Sequence, residues 1–159
     1  MENKEVLKRN LVYPQFIDGA LTTSSNRESW INYNPANNDP LGAVLQANDE
    51  DIEAAVNSSE KAFHIWRTKT GAERGRVLLQ TAHILRSRLE AIAFLETQDV
   101  GKPISESLAV DISSAADALE YFGGMAATIH GEYVDLKNAF GYTRPEPLGI
   151  CAGIGAWNY

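Results

Sequence analysis

Cysteine is nearly missing from this chain: Cys151 is the only one in 159 residues. A lone thiol closes no internal disulfide and builds no cysteine-based zinc site, so nothing in the cysteine usage points away from a reducing compartment. Histidine is also scarce. His64, His83 and His130 stand too far apart for the paired spacings of zinc sites and read as surface or packing residues. Positive charge is in deficit, with 14 Lys and Arg against 21 Asp and Glu, a net charge of -7 and a pI near 4.9. Such a chain repels a phosphate backbone, which excludes nucleic acid as a partner. No apolar run reaches the ~18 residues of a membrane span, and the first ten residues mix acids with bases without the apolar core of a signal peptide. The expectation is a cytoplasmic protein with no membrane partner.

What is present suits a folded core. Hydrophobic residues make up 44% and charged residues 22%, the balance of one globular domain or of part of a larger one. Residues 11 to 47 read as short strands between turn signals, namely Asp18-Gly19, Asn34-Pro35 and Asn37-Asn38-Asp39-Pro40. At Asn48 the period changes to that of a helix over about 49–65, with Asn48 as its cap, three acids in the first turn, and Ile52, Ala55, Val56, Ser59, Phe63 and Trp66 on one face.

Thr70 and Glu73 have the spacing of a capping box, and Leu78, Ala82, Leu85, Leu89 and Ile92 continue along one face, predicting a single long, well-buried second helix. Pro103 opens a third series, Leu108, Ile112, Ala115, Leu119, Phe122, Ala126 and Ile129, which Gly131 is expected to end. Residues 132–147 alternate around Lys137-Asn138, as a hairpin does.

From Leu148 to Ala156 the chain is apolar without alternation, the pattern of a parallel strand buried on both faces. No earlier segment supplies a βαβ partner, so these residues read as the N-terminal piece of a larger α/β protein, inert and poorly stable alone. Within this run Cys151 reads as an inert small hydrophobe. Gly153 and Gly155 open like a dinucleotide fingerprint, but Asn158 stands where its third glycine belongs. Asn158 follows the carboxyl end of the strand, where open α/β sheets place their ligands. An amide N–H held there donates to a developing oxyanion; the competing reading is a turn asparagine that merely closes the strand.

The run Glu146-Pro-Leu-Gly-Ile-Cys-Ala-Gly-Ile-Gly-Ala-Trp-Asn-Tyr159 resembles the strand-and-elbow signature of the NAD(P)-dependent aldehyde dehydrogenase superfamily, most nearly the betaine aldehyde and 4-trimethylaminobutyraldehyde branch. The similarity takes in Phe16-Ile-Asp-Gly19, Asn34-Pro35, Ala62-Phe63, Trp66, Glu73-Arg74, the run Leu95-Glu-Thr-Gln-Asp-Val-Gly-Lys-Pro103, Asp111-Ile112, Leu119-Glu-Tyr-Phe-Gly123 and Tyr142-Thr-Arg144.

The resemblance implies an α/β fold, the N-terminal part of the aldehyde dehydrogenase architecture, with short strands, three long helices, an oligomerisation hairpin and a first buried strand leading to the active site. Residues 1–131 would belong to the cofactor-binding domain, 132–147 to the hairpin of a homo-oligomer, and 148–159 to the strand and elbow. Asn158 matches the oxyanion-hole asparagine, and Gly155, Ala156 and Trp157 with it line the nicotinamide side of the NAD site; NADP stays open. Tyr159 matches an aromatic-box residue whose ring face attracts a trimethylammonium aldehyde. Asp99, with backbone oxygens of Asn32 and Tyr33, matches a structural potassium or sodium site, although Asn32 and Tyr33 replace a more usual hydroxyl residue and small aliphatic. The nucleophilic cysteine and general-base glutamate of the pattern fall beyond Tyr159. The implied activity is NAD-dependent oxidation of an aldehyde to its carboxylate. The alternatives are a dehydrogenase of ordinary aliphatic aldehydes and a non-catalytic interaction module.

Overall fold

A computed structural model describes residues 11–22 and 27–155. A small sheet comes first. β1 (Val12–Tyr13) lies parallel to β5 (Pro40–Leu45), which pairs antiparallel with β4 (Ser29–Tyr33), giving the order β1-β5-β4. β2 (Phe16–Ile17) and β3 (Ala20–Leu21) form a separate hairpin. Its turn is Asp18-Gly19, both at left-handed φ of 52° and 77°, the conformation for which this dipeptide is suited. The β4–β5 register slips between Asn32 and Tyr33, a bulge that bends the strand at its end.

The helices start where their caps predict. α1 (Asp49–Trp66) is capped by Asn48, whose side chain accepts from the Asp51 N–H while the Asp51 carboxylate accepts from the Asn48 N–H. α2 (Gly71–Ser87) carries the same reciprocal box between Thr70 and Glu73.

The single long second helix is corrected. At Arg88 the backbone leaves helical geometry, with φ −117° and ψ 15°, and α3 (Leu89–Val100) begins after it, so Leu89 and Ile92 belong to another helix than Leu78 and Leu85. There are thus four long helices in the described residues, not three. Gly101, at φ 76°, closes α3 in the left-handed conformation, donating its N–H to the Thr97 carbonyl.

The third series is rearranged by a π turn. After α4 (Ile104–Glu106), residues Ser107–Asp111 form π geometry, and α5 (Ile112–Met125) follows, ending in a 3-10 turn at Ala126–Thr128, ahead of Gly131. The extra residue shifts the phase. The buried line becomes Ser107, Ile112, Ala116 and Gly123, while Ala115, Phe122 and Ile129 are exposed. Small residues face inward because α2 approaches closely: a Cβ on Gly75 would overlap the Gly123 carbonyl. Fully buried Ser107 places its Oγ 2.9 Å from Thr97 Oγ1, and the Ser113 hydroxyl donates to the Leu108 carbonyl.

β6 (Tyr133–Leu136) and β7 (Ala139–Tyr142) pair antiparallel around Lys137-Asn138, as expected, and Tyr133 stacks on Phe140 with ring centroids 5.7 Å apart. The buried strand at 148 is not formed. Leu148 and Ile154 are 97% and 99% exposed, and no strand among the described residues runs beside them. A parallel strand exists only through a neighbour's ladder, so without one the run lies open. Cys151 is correspondingly an exposed free thiol, not a buried hydrophobe. The apolar stripe of α1 is likewise uncovered, with Ile52, Val56 and Trp66 all exposed. No described helix is long and apolar enough to cross a membrane. His64, His83 and His130 are all exposed, as read.

Candidate functional site

The end of β4 and the end of α3 meet across a cleft of about 370 Å³, with Tyr13, Leu41, Val44, Ile92 and Leu95 as its apolar walls and Asn32, Glu96, Gln98 and Asp99 as its polar ones. Local geometry brings these ends together. The bulge at Asn32 and Tyr33 frees the strand end from regular pairing. The Gly101 cap packs against the Asn34-Pro35 turn so closely that a Cβ there would lie 2.8 Å from Pro35 Cγ. Asn32 and Asp99, 67 positions apart, are thereby joined: Asn32 Nδ2 donates to Asp99 Oδ1 at 2.5 Å.

The electrostatics of this corner are negative. Asp99 is the penultimate residue of α3, where the helix carbonyls already carry partial negative charge, and no basic side chain stands in the last turn. Glu96 lines the same cleft, 3.7 Å from Lys102 Nζ. Lys102 is held more tightly by Asp111, at 2.6 Å. That hydrogen bond above all, helped by the charges of Asp111, Glu96 and Glu106 and opposed by burial, raises its ammonium above the ordinary 10.5.

Gln98 Oε1 is buried and has no hydrogen-bond partner among the described residues. The Asp99 carboxylate is exposed, and it and the Gln98 carbonyl oxygen are the kind of oxygen donor that a hard cation takes. The described residues contain no cluster of three or more His, Cys, Asp or Glu placed to hold a metal. Tyr33, the third residue expected here, pairs with Pro40 at the strand end and keeps its side chain exposed.

Of the residues expected at the active site, only Gly155 is described, exposed at the end of the open segment. Ala156, Trp157, Asn158 and Tyr159 lie outside the described residues. A Cβ at Gly153 or Gly155 would meet nothing within 4 Å, in keeping with the open course of this segment. Apolar periodicity does not mark Glu96 and Gln98 as cleft residues; the available signal is their place on α3 in the turn before Asp99.

The aldehyde dehydrogenase family model matches residues 22–159. The chain belongs to the aldehyde dehydrogenase family. Among solved structures of this family, a point mutant of the Bacillus cereus aldehyde dehydrogenase is 32% identical with a TM-score of 0.83, over 93% of this chain and 31% of its own. A point mutant of the Staphylococcus aureus betaine aldehyde dehydrogenase, in complex with NAD+, is 33% identical with a TM-score of 0.74, over 84% of this chain and 27% of its own. An indole-3-acetaldehyde dehydrogenase in apo form is 32% identical with a TM-score of 0.72, over 77% of this chain and 29% of its own. The chain thus spans under a third of the length of these relatives and has the fold of the N-terminal part of an aldehyde dehydrogenase.

Proposed function

We propose that, within a protein of the relatives' length, these residues serve an NAD-dependent aldehyde dehydrogenase that oxidises a trimethylammonium aldehyde, betaine aldehyde or a close analogue, to its carboxylate. The family match over residues 22–159 carries the reaction class, and the NAD+ complex of a 33% identical relative supports the cofactor. Residues 1–131 contribute to the cofactor-binding domain and 148–159 to the strand and elbow of the active site. The 132–147 hairpin, whose Tyr133, Phe140 and Tyr142 are exposed, offers the apolar surface of a homo-oligomer contact.

In this reading Gly155, Ala156 and Trp157 border the nicotinamide, where the glycine lets the ligand reach the backbone. NAD, when bound, accepts the hydride that the oxidation releases. The amide of Asn158 donates to the aldehyde oxygen as that oxygen gains negative charge, an interaction stronger in the transition state than in the ground state. Covalent addition of a nucleophile from outside these residues would divide the oxidation into two easier steps, each with an oxyanion for Asn158 to stabilise. Tyr159 presents a ring face to a quaternary ammonium, which has no N–H to donate. Asp99, with oxygens of Asn32 and Tyr33, holds a potassium or sodium ion that ties β4 to α3.

The substrate class rests on Tyr159 and the run before it. The Bacillus cereus enzyme, whose substrate is unspecified, is as similar as the betaine aldehyde enzyme, and this keeps ordinary aliphatic aldehydes as the second reading. Steady-state kinetics with NAD decide between them. A kcat/KM for betaine aldehyde at least tenfold above that for propanal supports the trimethylammonium reading, and the reverse order supports the aliphatic one.

A further inference from the structure

We infer that the Asp18-Gly19 turn is a site of spontaneous covalent modification, the isomerisation of Asp18 to isoaspartate, and that Ser58 of α1 restrains it. Asp18 is the one aspartate or asparagine in 159 residues that precedes a glycine. It stands at the tip of the β2–β3 hairpin, exposed, with φ 52°. Gly19 is exposed too, and a Cβ on it would meet nothing within 4 Å. Among the described residues no backbone acceptor takes up its N–H. A backbone nitrogen with no side chain crowding it is open to attack on the carboxyl group that precedes it.

The reaction needs only the chain and water. The Gly19 nitrogen bonds to Asp18 Cγ, and the carboxyl group, protonated from solvent, gives up its hydroxyl, which leaves with the amide hydrogen as water. A five-membered imide results. Water then opens the ring on either side. Breaking the new bond between nitrogen and Cγ restores aspartate. Breaking the old bond between nitrogen and the Asp18 carbonyl carbon instead routes the backbone through Cγ and leaves a free α-carboxylate. Nothing is oxidised or reduced, and either product carries one oxygen taken from water. The other aspartates are worse placed: Asp39 precedes Pro40, which has no N–H, and the rest lie in β6 or in helical turns.

Ring closure requires the Asp18 carboxyl group to turn toward the Gly19 nitrogen. Its Oδ1 is engaged elsewhere, because Ser58 Oγ donates to it at 2.8 Å from 40 positions along the chain. That bond ties the turn to α1 and must break before the carboxyl group swings, so Ser58 slows the reaction. Ser59 provides the contrast: its hydroxyl donates to the Ala55 carbonyl of its own helix.

The test is peptide mapping of the protein carrying this chain after prolonged warming at neutral pH in water enriched in heavy oxygen. The Asp18 peptide should gain one heavy oxygen and separate into two isomers of equal mass, faster than the peptide of any other aspartate. Ser58→Ala should speed this labelling about fivefold, the factor equivalent to one hydrogen bond, and Ser59→Ala should leave it unchanged. Labelling at Asp18 no faster than at the other aspartates would overturn the site. Equal rates in Ser58→Ala and wild type, or an equal acceleration in Ser59→Ala, would overturn the restraint.

Discussion

Arg27 and Asp51 form an ion pair in which both side chains are about nine-tenths buried, 10% and 7% exposed, locking the approach to β4 onto the first turn of α1. Asp51 is shared, since its carboxylate also accepts from the Asn48 N–H in the capping box. Arg27 in turn donates to Gln15 Oε1, whose own amide reaches the Leu45 carbonyl at the end of β5.

Removing one partner of a buried pair strands the other charge, which costs about 3–5 kcal/mol. Asp51→Ala also removes half of the capping box, so it should fall at the upper end of that range. Chemical denaturation of the variant against Asn48→Ala separates the two effects: loss of the cap alone costs about 1 kcal/mol. Equal losses in the two variants would show that the ion pair contributes nothing.

Gly75 and Gly123 predict a sign reversal. Alanine in place of a helical glycine ordinarily stabilises by up to about 1 kcal/mol. At Gly75 the new methyl would run into the Gly123 carbonyl and lie 3.1 Å from Ala126 Cβ, and backbone cannot swing aside as a side chain can. Overpacking of about 1–3 kcal/mol should win, so Gly75→Ala lowers Tm. Gly124, the next residue on α5, has nothing within 4 Å of its Cβ position, so Gly124→Ala should raise Tm. Opposite signs in the two melts are the expected outcome.

The capping box of α2 predicts a pH effect. The Thr70 backbone N–H, then the Thr70 hydroxyl, bond the Glu73 carboxylate and hold its pKa below the ordinary 4.5 against the opposing effect of burial, with smaller help from the charges of Lys69 and Arg76. A depressed folded-state pKa means that the contribution is complete above 4.5 and lost as pH falls through the lowered value. NMR titration should find Glu73 ionised to lower pH than an ordinary glutamate, and Thr70→Ala, which removes the hydroxyl but keeps the backbone N–H, should return it part of the way. A titration midpoint that Thr70→Ala leaves unmoved would contradict the assignment.

What the sequence made legible follows the range of the interactions. Asn48, Thr70 and the Asp18-Gly19 turn act within three residues, and each sits where its local chemistry places it. The break at Arg88 carries no glycine or proline, and the apolar stepping runs straight across it, so periodicity merges α2 and α3. The residues of the π turn make polar contacts, Ser107 with Thr97 and Asp111 with Lys102, that the spacing of large apolar residues does not encode. Only family resemblance pairs Asn32 with Asp99; a side-chain hydrogen bond across 67 positions leaves no periodic trace in the sequence. The strand at Leu148 was read from its apolar run, which records what a segment is suited to pair with and not whether the ladder is present.

The central claim is that Asn158 donates to the oxyanion of an NAD-dependent aldehyde oxidation, and turnover in the Asn158→Ala variant tests it most directly. Measured as NADH formation with saturating aldehyde in a protein of the relatives' length, kcat should fall by ~100-fold or more, the loss typical of one oxyanion donor, with NAD affinity nearly unchanged. An undiminished kcat, or a loss confined to NAD binding, would contradict the account.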